Sequence, residues 1–374
     1  MEAAEAVLRF LAGVGPGSEA EFYLRLFRTR ARESFAALVV DPETWRENVE
    51  SVALDLRLLS TLSLTPVVVL GFYQPARADE YARVLGEKLA GLQVASRDFA
   101  SGSTRESIAE ATERGAIPLL RLHEQDEQAR ELELARVLAS LSTYKLIFLR
   151  NEGGLSTDGR PLSVVNLSDD FGELMALPEW SEDQKRLLSC SRRLVFELAP
   201  HELLVTVTSP LSLVHELFTV RGAGTLLRRG ARIVRHDGLN GVDLEGLRSL
   251  ITSSFGKPVR DGVFSRAIAN TYIEDRQRGA ALVAQTRLGS YLDKFAVTRE
   301  AQGEGVGRDL WQAMRADHRV LFWRAREHNP IRSWYEKQCD GRVRVGEWTV
   351  YWIGLAPERI PEAIAHALSQ PIDF

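Results

Sequence analysis

Solid apolar runs alternate along the first two-thirds of the chain with stretches where apolar side chains recur every third or fourth position. FAALVV (35–40), PVVVLG (66–71), IPLLRL (117–122) and KLIFL (145–149) carry almost no polar positions, the pattern of strands buried on both sides. Helical spacing fills residues 42–60 and 76–90. It also fills residues 1–34, where Phe22 and Leu26 lie one turn apart and the glycines from Gly13 to Gly17 interrupt the helix once. Alternation of this kind predicts a mainly parallel sheet with helices on both faces.

The pattern changes after residue 230. RIVRHDGLNGVD (232–243) supplies two glycines and polar residues and reads as a boundary, so two domains are expected, 1–235 and 236–374. Asp243 is placed to cap a helix over 244–255, and strands are expected at 280–286, 291–297, 320–326 and 348–352. Strict alternation in 291–297 puts Leu292, Lys294 and Ala296 on one face and Tyr291, Asp293, Phe295 and Val297 on the other. Arg324 and Arg326, two apart, share a face.

Composition narrows the function classes. A chain of 374 residues with 45% hydrophobic and 26% charged positions is ordinary globular material. A net charge of -4 argues against a dedicated nucleic-acid binder, and the basic run from Arg221 to Arg235 is the main candidate for a local anion site. Cys190 and Cys339 have neither paired spacing nor a histidine cluster beside them, so no disulfide framework and no metal site are expected. No segment has the apolar length of a membrane span or the form of an export signal, and a cytoplasmic location is expected.

The candidate chemistry sits in loops. Val40-Asp41-Pro42-Glu43 and Gly71-Phe72-Tyr73-Gln74-Pro75 follow two strands but lack the lysine and close glycines that cradle a phosphate. Gln302-Gly303-Glu304-Gly305-Val306-Gly307 lies between a strand and a helix bearing Leu310, Ala313 and Met314 at core spacing. Its glycines and the first N–H groups of that helix suit a pyrophosphate, and a plain strand-to-helix turn is the alternative. Lys294 is either an anion partner or a snorkelling lysine at a sheet edge. The Arg324/Arg326 pair suits a carboxylate or forms a solvated face. Asn329 and Pro330 read as N-cap and first residue of a helix that carries Trp334 and Tyr335.

YLRLF (23–27), TPVVVLG (65–71), KLIFLRNEGGL (145–155) and ELFTVRGAGTLLRRG (216–230) resemble the amino acid kinase fold of acetylglutamate kinases. The resemblance implies that fold without phosphoryl transfer, since the family's Lys-Gly-Gly loop and glycine run are reduced to Gly71, and Arg150-Asn151 stands where the family has Thr-Asp. It also implies an arginine effector site involving Glu216 and Gly224, although GAGTLL (222–227) by itself reads as a tight turn before a strand, and a homo-oligomer built through this domain.

YLDKFAV (291–297), the Q-x-x-G-x-G turn, LFWRAREHNPI (321–331), Trp334-Tyr335 and WTVYW (348–352) resemble the GNAT domain of the acetylglutamate synthases of the fused synthase/kinase and vertebrate type. This resemblance implies an α/β protein in two domains, an amino acid kinase-like sandwich followed by a GNAT acetyltransferase fold. It implies acetyl-CoA as co-substrate, held by the backbone of Phe295, Ala296 and Val297 and by Gln302, Gly303, Gly305, Val306, Gly307 and Arg308. It implies L-glutamate held by Lys294, Arg324, Arg326 and Asn329, with Tyr335 assisting catalysis. No base is named by the sequence, and a water chain or a group outside the motif both stay open. The rival readings are a bifunctional synthase/kinase and a non-catalytic arginine-binding protein.

Overall fold

A computed structural model describes residues 17–198, 203–220, 222–329 and 331–373. The chain divides into two compact units, Met1–Gly230 and Ala231–Phe374. The first opens with α1 (Gly17–Arg28), β1 (Ala36–Val40), α2 (Pro42–Thr61), β2 (Val67–Leu70) and α3 (Ala78–Gly91). It continues through β3 (Ser96–Ala100), α4 (Arg105–Glu113), β4 (Ile117–Arg121), α5 (Glu127–Leu141), β5 (Lys145–Leu149) and the small pair β6 (Ser156–Thr157) and β7 (Arg160–Pro161). β8 (Val164–Asn166), α6 (Phe171–Met175), α7 (Glu182–Arg193), β9 (Leu204–Thr208), α8 (Leu213–Phe218) and β10 (Thr225–Arg228) complete it. The helix expected over 1–34 stops at Arg28 and is followed by a separate 3-10 turn at Arg32–Ser34, while the part of its break that precedes Gly17 lies outside the described residues.

Eight strands form one sheet in the order β3-β4-β2-β1-β5-β9-β10-β8, and its pairs are parallel except β9 with β10. Alternation serves both faces. Leu38, Val68, Leu70, Ile147 and Leu149 pack with α1, α2 and α3, while Ala37, Val39, Val67, Val69, Leu146 and Phe148 pack with α5 and α7. That double burial is why these strands read as unbroken apolar runs. Asp41 caps α2, its Oδ1 accepting the Thr44 N–H at 2.7 Å. Gly71 has φ +86°, and a Cβ there would come within 2.3 Å of the Leu122 carbonyl oxygen, so backbone packing alone demands a glycine.

The second unit holds β11 (Ile233–Asp237), α9 (Leu244–Phe255), β12 (Asn270–Glu274), β13 (Gly279–Thr286), β14 (Gly289–Val297), α10 (Arg299–Gly303) and α11 (Val306–Asp317). β15 (Leu321–Arg326), α12 (Arg332–Gln338), β16 (Gly341–Val345), β17 (Trp348–Ile353) and α13 (Ile360–Ser369) follow. The strand order is β11-β12-β13-β14-β15-β17-β16, antiparallel except for β14 with β15. Part of the stretch read as a boundary is thus a strand: Ile233–Asp237 pairs with β12, and the division falls after Gly230, at the start of the stretch from Gly230 to Asp243 and ahead of the expected 235/236.

The strict alternation expected in 291–297 fails. Leu282 pairs with Lys294 and Val283 with Leu292, so Asp293 is an extra residue in β14, a β-bulge. Leu292 therefore joins Phe295 and Val297 against α11, while Ala296 packs with α9 and Tyr291 with Phe322 and α13.

Beneath β14 lies a buried polar chain. His318 Nδ1 is 2.8 Å from Ser290 Oγ and Nε2 is 3.0 Å from the Tyr272 hydroxyl, which donates to Asp317 Oδ2 at 2.6 Å. Burial lowers the His318 pKa from its ordinary value, with Asp317 opposing and Arg235 and Arg315 adding to the effect. The folded state thus resists a proton that the unfolded chain accepts near pH 6.5. Stability from this site is complete above that pH and is lost as pH falls below it. The thermal midpoint should drop between pH 7 and 5, and His318→Gln should flatten that slope; an equally steep slope in the variant would place the loss elsewhere.

Candidate active site

β14 and β15 are parallel neighbours whose ladder is limited to Ser290 with Leu321 and Tyr291 with Phe322. β14 continues to Val297 against β13, and β15 continues to Arg326 against β17. Past Tyr291 and Phe322 the facing edges therefore diverge, leaving an opening inside the sheet. Backbone groups on an edge without a ladder partner are ready to pair with an extended ligand that carries amides.

Phe295, Ala296 and Val297 line the β14 side of this opening. At its end Gln302 Nε2 donates to the Val297 carbonyl at 2.9 Å, tying the following turn to the strand. The glycine turn differs from its sequence reading. Gly303 ends the short helix α10, Gly307 lies inside α11, and Gly305 alone takes a left-handed conformation, φ +75°, at the N-cap of α11. Val306, Gly307 and Arg308 form the first turn of α11; the Arg308 N–H donates to the Gly305 carbonyl at 3.0 Å, and a helix start of this kind suits a phosphate. Leu310 and Met314 anchor the helix in the core, with Ala313 partly buried beside them.

Lys294 is buried, and its ammonium meets Asp293 Oδ2 at 2.8 Å and the carboxylate of Asp373. Arg266 reaches Asp293 at 2.8 Å and also pairs with Asp373. Burial opposes ionisation of Asp373, but Arg266 and Lys294 outweigh it and hold this carboxyl below its ordinary value. Arg324 and Arg326 do share a face of β15. Both guanidiniums lie over the Trp348 ring, at 4.0 and 4.8 Å from its centroid. Arg324 donates to the Pro371 carbonyl at 2.7 Å, and Arg326 pairs with Glu347. The structure thus joins Lys294 and Arg324 through the segment after α13, and places Arg326 beside them on Trp348.

The structure departs from the reading of Asn329 as a helix cap and sets Tyr335 apart from the arginines. Asn329 does not cap α12: its Oδ1 accepts the Ile331 N–H at 3.0 Å in a local turn, and the helix starts at Arg332 after Ile331. Pro330, expected as the first helical residue, lies outside the described residues. Tyr335 packs on the opposite side of β15 from the arginines, among Trp311, Trp323, Trp334 and Tyr351 with ring centroids 5.4–6.3 Å away. Burial, and to a lesser degree Tyr351, pushes its phenol well above its ordinary value, so it carries its proton at any working pH.

In the first unit Glu216 and Gly224 are in contact. Glu216 Oε2 accepts the N–H groups of Ala223 (2.9 Å) and Gly224 (3.1 Å), and its other oxygen meets Lys145 Nζ at 2.9 Å. A Cβ on Gly224 would lie 2.3 Å from the Val207 carbonyl oxygen, so that glycine also serves close packing. The basic run does not form one patch: Arg228 is buried, Arg235 pairs with Asp237 and Asp317, and Arg221 lies outside the described residues. Sequence reasoning misses Asp293, Arg266 and Asp373. Strict alternation puts Asp293 on the wrong face, and the other two are far from Lys294 in sequence with no local pattern to flag them.

Residues 234–370 match the family model described as NAT, N-acetyltransferase, of N-acetylglutamate synthase. Fold and site together define an amino-acid N-acetyltransferase domain preceded by an amino acid kinase-like unit. The chain is 31% identical to the mitochondrial N-acetylglutamate synthase of Homo sapiens, over 97% of this chain and 77% of that protein. The chain belongs to the N-acetylglutamate synthase family. It is also 38% identical to the acetylglutamate kinase of Xanthomonas campestris pv. campestris over 63% of its own length, and spans 57% of that relative. The solved structure of N-acetylglutamate synthase from Neisseria gonorrhoeae, complexed with coenzyme A and N-acetyl-glutamate, has a like fold: TM-score 0.52, 16% identity, covering 90% of this chain and 98% of that one.

Proposed function

We propose that the chain transfers the acetyl group of acetyl-CoA to the α-amine of L-glutamate, releasing CoA and N-acetyl-L-glutamate for arginine biosynthesis. The observation that carries this reading is the cationic pair Lys294 and Arg324 beside an opening between two diverging strands. Amides of an extended thioester ligand pair with the β14 edge, and its pyrophosphate meets the Gly305 turn and the first turn of α11. The cations, with Arg326 and Asn329 nearby in sequence, fix the acceptor's carboxylates so that the amine faces the thioester, a positioning effect. Once the ammonium has given up one proton to solvent, the N–C bond forms and the C–S bond breaks; Tyr335 gives its proton to the departing sulfur, and the second proton lost by the nitrogen returns through solvent to the phenolate.

Phosphoryl transfer is read as lost. Asp41 is committed to capping α2 and lies 3.8 Å from Arg150, and Asn151 is bound to Glu47 and Asn48 at 2.7 and 2.8 Å. Side chains of the protein thus tie together the β1 and β5 loops, the end of the sheet where a phosphate group would sit. We read the first unit as regulatory, with free L-arginine as effector near Glu216. A cytoplasmic location is our reading, and Cys190 and Cys339 are free thiols. Among the described residues no helix is long and apolar enough to cross a membrane, and no cluster of potential metal ligands occurs.

The test is CoA release by the purified chain across the free amino acids, with and without arginine. Glutamate should support turnover, arginine should alter its rate, and ATP with N-acetylglutamate should give no acyl phosphate above a no-enzyme blank. Turnover with every amino acid except glutamate would overturn the acceptor assignment, and acyl phosphate formation would restore the kinase reading.

A further inference from the structure

Lys294 spends its ammonium protons inside the protein. Nζ donates to Asp293 Oδ2 at 2.8 Å, to the Asp293 carbonyl at 3.2 Å and to Asp373 Oδ2, and Lys294 is 5% exposed. An ammonium has three protons to give, so an acceptor carboxylate reaches this lysine only by replacing one of those oxygens. Asp293 is fixed beside it by the bulge. Asp373 is not part of any helix or strand; it comes from the segment that follows α13.

That segment is held chiefly by polar contacts. Arg266 pairs with the Asp373 carboxylate, the Arg260 N–H donates to the Asp373 carbonyl at 3.2 Å, and Arg260 Nη1 donates to the Ile372 carbonyl at 3.0 Å. Arg324 donates to the Pro371 and Leu368 carbonyls at 2.7 and 3.3 Å. Ile372 is 42% exposed, and the apolar cluster under α13 takes in Ala363 and Ala367 but no residue of 371–373. The segment therefore puts a carboxylate on Lys294 and a carbonyl oxygen on Arg324, the same two cations assigned to the acceptor. Regions with few apolar contacts open at low cost. An incoming carboxylate would also replace the one that leaves, so neither Lys294 nor Arg266 is stranded as an unpaired buried charge.

We propose that Asp373 is a built-in competitor for the acceptor carboxylate: the segment 370–373 swings away when L-glutamate binds, and Asp373 thereby sets the effective affinity for glutamate. The proposal rests on the assignment of Lys294 and Arg324 to the acceptor. Apparent affinity falls by the fraction of molecules in the competent state, so a segment open about one-tenth of the time raises the glutamate KM roughly tenfold.

Asp373→Asn keeps the shape and removes the charge. It should lower the glutamate KM by roughly that factor and leave the acetyl-CoA KM unchanged. Arg260→Ala loosens the same segment without touching Lys294 or Arg324 and should shift the glutamate KM the same way. N-acetylated Gln-Pro-Ile-Asp amide added to the Asp373→Asn protein should inhibit competitively with glutamate. A glutamate KM that stays level or rises in both variants, with thermal melts showing folded protein, would make Asp373 a structural partner of Lys294 and overturn the proposal. Lys294→Gln separates the two layers. If it leaves the glutamate KM unchanged, the acceptor assignment itself is wrong; if it raises the KM while Asp373→Asn does not lower it, only the competitor role fails.

Discussion

Tyr335→Phe is expected to lower kcat by about 10²–10⁴-fold, the usual contribution of a positioned general acid, with little change in either KM. The substitution keeps the ring among Trp311, Trp323, Trp334 and Tyr351, so the aromatic packing that anchors α12 survives. What it removes is a proton that burial holds on the phenol. A phenol with so raised a pKa is a weak acid, but the desolvation that keeps it neutral also raises the proton affinity of a thiolate leaving beside it. For the same reason the parent should show no alkaline loss of kcat from this group below about pH 10, the ordinary tyrosine value. A folded Tyr335→Phe protein with kcat within about threefold of the parent would make the residue structural and leave protonation of the sulfur to water.

Arg324→Ala is expected to raise the glutamate KM by one to two decades while acetyl-CoA binding holds, because a charge-assisted bond to a carboxylate is worth about 1.5–3 kcal/mol. Arg324 also donates to the Leu368 and Pro371 carbonyls, and losing those bonds frees the 370–373 segment, which pulls the KM the other way. Freeing the segment can return at most the roughly tenfold in KM that its closed state costs, which trims the rise without reversing it. Arg326→Ala should move the glutamate KM in the same direction, since Arg326 shares the Trp348 ring with Arg324. Unchanged glutamate KM values in both variants, measured on proteins with parental thermal midpoints, would sink the carboxylate assignment.

The sequence made the centre of each sheet legible and its margins obscure. β1, β2, β4 and β5 are buried on both faces, so their apolar runs stand out. β3 (SRDFA) exposes all but Phe99 to some degree, and β11 is an edge strand of intermediate and exposed residues, so neither has a hydrophobic signature. The cationic site was half legible. Lys294 and Arg324 carry chemistry that local pattern flags, whereas Arg266, Arg260 and Asp373 reach it from distant loops through ion pairs that no periodicity encodes. The glycine turn misleads because three glycines in six residues look like one open loop, while two of them are helical and Gly305 alone needs a positive φ. Proximity in sequence groups Tyr335 with the arginines, although Trp323 and Arg324 point to opposite faces and the tyrosine follows Trp323.

The extra residue at Asp293 also sets the phase of the strand on either side of it. In a strand without the bulge, counting back by twos along β14 would keep Lys294 in phase with Leu292, and the two would answer to the same side of the sheet. With it, the lysine and Leu292 part company, and one strand feeds an aromatic core and an ionic pocket at adjacent positions. Deleting Asp293 would bring Leu292 next to Lys294 with Val283 and Leu282 still opposite them, so every upstream side chain would keep its side and only the bulge and its carboxylate would go. A substitution at Asp293 changes one charge, whereas a deletion there removes the bulge itself. The parity of the upstream residues is thus already the one that a strand one residue shorter would have, and the bulge is where the added residue is stored.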